Sequence, residues 1–174
     1  HLTAAVQVGF IVGNLSFAIL TIADRFSPSK VFFVCAVIGA LFNLGIIYEG
    51  NTLSSLLTLR FLTGFFLAGI YPIGMKIAAD YFEKGLGKSL GFLVGALVLG
   101  TAFPHLLKNM TESISWKSVL IGTSSFALFG GVLMWMLVPD GPFRKAGKKL
   151  NLLAFSQVFQ KPEFRSAAFG YFGH

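Results

Sequence analysis

Ser118-VLIGTSSFALFGGVLMWML-Val138 runs for twenty-one residues without one charged side chain. A bilayer's hydrocarbon core of about 30 Å takes roughly 20 apolar residues in a helix to cross. Within it every backbone N–H and C=O must be bonded without water, and a single isolated segment meets that condition only as a helix. Working outward, the same reading applies to about 4–22, 31–48, 54–78 and 89–107, which makes five predicted spans. The whole chain agrees: of 174 residues, 55% are hydrophobic and 12% charged, with mean hydropathy +0.75. Soluble domains carry about 25% charge. The predicted fold class is an all-α membrane protein, a bundle of transmembrane helices.

The net charge of +7 would in water suggest a nucleic-acid partner. Here the cations lie mostly between apolar runs, so no nucleic-acid partner is expected. The connectors at 23–30, 79–88 and 139–167 carry Arg25, Lys30, Lys84, Lys88, Arg144, Lys145, Lys148, Lys149, Lys161 and Arg165. The opposite side carries Lys108 and Lys117. Basic loops stay on the cytoplasmic side, which puts these three connectors inside the cell. Trp116 and Trp135 suit interfacial anchors. After Pro139, Gly141 and Pro142, Leu152, Phe155 and Phe159 recur at helical spacing beside lysines. Residues 140–167 are therefore expected to form a cytoplasmic amphipathic linker on the membrane surface, a soluble docking segment being the alternative. Residues 168–174 read as the start of another span. A chain that opens on His1 and closes inside an apolar run is expected to be part of a longer protein.

Several polar residues sit where lipid should be. Gln7, Asn14 and Thr21 are spaced by seven and share one face of the first helix, either lining a water-filled cavity or bonding a neighbouring helix. Gly9 and Gly13 lie roughly opposite, a pair suited to close helix contact. Arg60 lies a turn or two inside the third span. By counting 100° per residue, Tyr71 falls near its face. A guanidinium and a phenol on one inward face would hold a polar or anionic solute; the alternative is a structural arginine bonded to carbonyls of adjacent helices. Lys76 and Asp80, at i and i+4, predict an ion pair. Gly87, Gly91 and Gly95 predict close packing of the fourth span.

The loop Ala23-Asp24-Arg25-Phe26-Ser27-Pro28-Ser29-Lys30 reads as a charged hinge, with Asp24 near a helix terminus and Arg25 or Lys30 within reach of Asp80. The bland alternative is an interfacial turn. Three histidines, two of them terminal, offer no metal cluster, and no phosphate-binding glycine loop is visible. The lone Cys35 sits in an apolar run. No cofactor, metal or enzymatic activity is expected.

With these residues in place, the chain resembles the major facilitator superfamily. The Asp24-Arg25 loop followed by Lys30 is similar to the signature between the family's second and third spans, although Leu20 and Ser27 stand at its glycine positions and Pro28 and Ser29 interrupt its basic run. Leu56, Arg60, Thr63 and Gly64 match the fourth-span pattern. The fifth-span antiporter motif, with its Gly-Pro pair, is not reproduced between Gly95 and Pro104. The resemblance implies spans two to six of a twelve-span fold, the other half being a missing partner. It further implies a secondary transporter working by alternating access in a bacterial inner membrane. Under it, the lipid bilayer, a small polar or anionic solute and a coupling ion are the partners. Arg60, Tyr71, Asn14 and Gln7 then belong to substrate or proton coupling, and Asp24, Arg25, Lys30 and Asp80 to gating. Gly69-Ile70-Tyr71-Pro72 and Met75-Lys76 look most like cyanate/nitrate-type or sugar-efflux-type permeases. A sugar or drug efflux permease is one alternative, and a membrane enzyme or scaffold fragment the other.

Overall fold

A computed structural model describes residues 2–82, 84–110, 115–144, 160–162, 164–166 and 170. Every element in it is an α-helix: α1 (Leu2–Ile19), α2 (Ile22–Arg25), α3 (Pro28–Gly45), α4 (Leu53–Leu67), α5 (Ile70–Tyr81), α6 (Leu86–Met110) and α7 (Trp116–Leu137). Among the described residues, α1, α3, the α4–α5 pair and α7 are long and apolar enough to cross a membrane. The fourth predicted span, 89–107, falls on α6, whose apolar stretch Leu86–Ala102 is shorter. The predicted linker at 140–167 and the next span at 168–174 lie largely outside the described residues.

Local chemistry sets the helix ends. Thr52 starts α4 by accepting the Ser55 amide on its hydroxyl at 3.3 Å, and Ser115 starts α7 by accepting that of Ser118 at 3.4 Å. Either side-chain oxygen satisfies a donor that the first turn leaves open. Pro28 opens α3, where a missing N–H costs nothing. Between α1 and α2 the backbone of Thr21 enters the left-handed region at φ 48°, so the polar row of Gln7, Asn14 and Thr21 does not run along one unbroken helix.

The span expected at 54–78 is two helices, parted at Ala68 and Gly69. Pro72 is the reason. A proline ring clashes with the carbonyl four residues back and offers no N–H to it, and that carbonyl is Ala68's. The Gly69 amide turns instead to Phe66 O at 3.1 Å.

Close packing concentrates between α1 and α4. A Cβ at Gly64 would stand 2.9 Å from Val6 C and 3.1 Å from the Phe10 amide; one at Gly9 would stand 2.8 Å from Phe61 C. Only residues lacking a side chain let the two backbones approach so far, as expected for Gly9 and Gly13. Helix α3 is sandwiched between α4 and α7, with Phe33 stacked on Trp135 at 5.1 Å. The expectation for α6 fails among the described residues. A Cβ at Gly87, Gly91 or Gly95 would meet nothing within 4 Å. That helix turns Leu93, not its glycines, toward α5, where it stands 3.5 Å from a Cβ built on Gly74.

Candidate functional site

Three connectors meet at one end of the bundle. Lys76, on α5, reaches Asp80 Oδ1 at 3.0 Å and Asp24 Oδ1 at 3.4 Å, so one ammonium ties α5 to α2. Asp80 is 4% exposed, and its Oδ2 has no hydrogen-bond partner. The segment after α7 folds across this cluster. Phe143 donates its amide to Asp80 O at 3.0 Å, and a Cβ on Gly141 would stand 2.8 Å from Asp80 Cβ. The Tyr81 hydroxyl donates to Pro139 O at 2.5 Å. From the other flank, Ser29 Oγ donates to Val138 O and Ser27 Oγ to Asp140, both at 2.6 Å. Arg144 pairs with Asp140 and donates to Phe26 O at 2.9 Å. The opposite end of the bundle carries a Lys117–Glu49 pair at 2.7 Å.

The expected Lys76–Asp80 pair is therefore present but is half of a three-member cluster. Asp80 takes Lys76 as its partner and not Arg25 or Lys30, which are exposed. Charge alone made either pairing reasonable; Lys30 instead lines a cavity with Arg25.

Asn14 and Thr21 line a cavity of about 430 Å³ together with Asp24, Gly69, Pro72 and Ile73. The helix break thus opens onto the same hollow as Asp24. Asn14 also donates to Phe10 O at 3.0 Å, a bond back to its own helix. Gln7 is exposed.

Arg60 occupies a separate cavity of about 220 Å³ between α3, α4 and α7, beside Asn43, Thr63, Leu67, Thr123 and Ser124. Asn43 Nδ2 donates to Ser124 Oγ at 3.0 Å, and Thr63 bonds Leu59 O at 2.8 Å. Among the described residues Arg60 has no acidic partner. Neither Tyr71, Asn14 nor Gln7 is on the wall of this cavity. The four residues expected to share one site do not line one cavity: Asn14 stands on the wall shared with Asp24, Gly69 and Pro72, and Arg60 on that between α3, α4 and α7. Asn43 and Ser124 were missed. A lone amide in the apolar run 31–48 was the signal available.

Apolar helices of membrane-spanning length, with polar groups held in the interior, define a multi-pass α-helical membrane protein. Residues 1–173 match the model of the Major Facilitator Superfamily, and the chain belongs to that superfamily of transporters. Comparison with curated proteins and with solved structures returns no match.

Proposed function

We propose that this chain is one half of a secondary transporter that moves a small solute across a bacterial inner membrane by alternating access, and that the Asp24–Lys76–Asp80 cluster is its inner latch. The observation that carries the reading is the single ammonium shared by two carboxylates from different elements, roofed by the backbone of Gly141 and Phe143. Such a cluster holds α2, α5 and the segment after α7 in one arrangement, and letting them part requires the Lys76–Asp24 contact to break. Asp24 is 35% exposed and Asp80 5%, so Asp24 is the partner that water can replace. Arg25 and Lys30 flank the hinge.

Arg60 is the candidate for binding or coupling. A charged side chain inside a membrane segment is costly and characteristically faces a pathway or a partner. Its neighbours here are an amide and three hydroxyls, which suit a polar or anionic solute. Tyr71, Asn14 and Gln7 belong to the solute path only if the intact protein joins them to the Arg60 cavity. The test is Asp24→Asn in the intact transporter reconstituted in proteoliposomes. Turnover should fall at least tenfold while solute affinity stays within twofold. Unchanged turnover removes the latch.

A further inference from the structure

A second cavity at the latch end, about 630 Å³, has features that solute transport does not use. Its rim holds Arg25, Lys30 and Arg144, and its walls include Phe26, Val31 and Val34. Phe26 is 60% exposed and Val34 47%, so the apolar side opens outward from the bundle. Among the described residues neither Arg25 nor Lys30 has an ion-pair partner. Arg144 is held by Asp140 and by Phe26 O, so its charge is offset while its position is fixed. The cavity also meets the first turn of α3, where the Ser27 hydroxyl is spent on Asp140 and gives no cap bond. The positive end of α3 adds to these two cations.

We propose that this cavity binds an anionic phospholipid of the inner leaflet. The phosphate would sit between Arg25, Lys30 and the α3 N-terminus, with an acyl chain laid along Val31 and Val34. Cations alone would serve any anion; the apolar wall opening outward from the bundle selects an amphiphile over free phosphate. Basic pockets between membrane helices on the cytoplasmic side bind lipid headgroups in this way. The inward placement rests on the orientation proposed above, whereas binding itself does not, so the two can fail separately.

The test uses the intact transporter, delipidated in detergent and titrated with phosphatidylglycerol, phosphatidylcholine and inorganic phosphate, with thermal stability as readout. Phosphatidylglycerol should raise the melting temperature saturably and the other two should not. Each basic residue near an anionic surface contributes enough that Arg25→Gln/Lys30→Gln should weaken phosphatidylglycerol roughly 30-fold. An equal shift with inorganic phosphate would make the site one for a free anion. An unaltered phosphatidylglycerol response in the double variant would also overturn the proposal. Should that variant not fold, native mass spectrometry of the wild-type protein decides. Preferential retention of phosphatidylglycerol over phosphatidylcholine supports the site, and equal retention refutes it.

Discussion

Removing the Lys76 ammonium, by Lys76→Met, should destabilise the protein, and removing Asp80 as well should restore most of the loss. Asp80 is 5% exposed and accepts Lys76 at 3.0 Å, while its other oxygen has no bond. Taking away one member of a buried pair leaves an uncompensated charge, which costs about 3–5 kcal/mol. Lys76 is itself 23% exposed, so some water already reaches the pair and a value of about 2–3 kcal/mol is expected. Asp80→Asn in the Lys76→Met background removes the orphaned charge and should recover about 2 kcal/mol of it. The Asp24 arm is longer, at 3.4 Å, and a third exposed; Asp24→Asn alone should cost under about 1 kcal/mol. The assay is a double-mutant cycle on the intact protein, unfolded reversibly in mixed detergent micelles. If Lys76→Met and the double variant are equally unstable, Asp80 is not held charged by Lys76 and the cluster is incidental.

Three further outcomes are expected. Gly64→Ala should cost about 1–3 kcal/mol, because its Cβ meets α1 backbone that cannot turn aside; Gly95→Ala, with nothing within 4 Å, should be neutral or stabilise by up to about 1 kcal/mol, and the same unfolding assay compares them. Arg60→Ala in the intact protein should abolish uptake while membrane insertion, followed by protease protection, is unchanged; wild-type uptake would make the arginine structural. Ser29→Ala should cost about 1 kcal/mol by removing a buried hydroxyl's 2.6 Å bond to Val138 O, and a loss below about 0.3 kcal/mol would show that water replaces it.

Hydropathy made the bundle legible because lipid leaves a bare backbone no alternative to the helix. The Gly9–Gly13 contact was legible too, since close approach needs missing side chains in a regular row. What the sequence hid is where the rows break. Thr21 carries no glycine to advertise its left-handed turn, and Pro72 acts on the carbonyl four residues upstream, not at its own position. Beyond either point, angles counted along an ideal helix no longer hold. Asn14 shares a wall with Gly69 and Pro72, and not with Arg60. The glycines of α6 show the converse: a small-residue row predicts that a partner can come close, not which helix it will be.

The pairing of charges illustrates a different limit. Arg25, Lys30 and Lys76 are all basic residues placed near one membrane face, and spacing alone cannot rank them as partners for Asp80. Geometry ranks them. Lys76 shares a helix with Asp80 one turn away, whereas Arg25 and Lys30 are exposed and line a separate cavity. Among the described residues, the two cations without an ion-pair partner and the one paired cation therefore face different surroundings. Lys76 looks into the bundle, where a carboxylate must answer it; Arg25 and Lys30 look toward the lipid edge, where the proposed phosphate would. If that division is correct, charge-neutralising changes on the two sides should separate cleanly: those at Lys76 should act on stability and turnover whatever the lipid, and those at Arg25 and Lys30 should matter only where anionic lipid is present. A lipid-independent effect at Lys30 as large as that at Lys76 would show that one charge network, not two, spans this end of the protein.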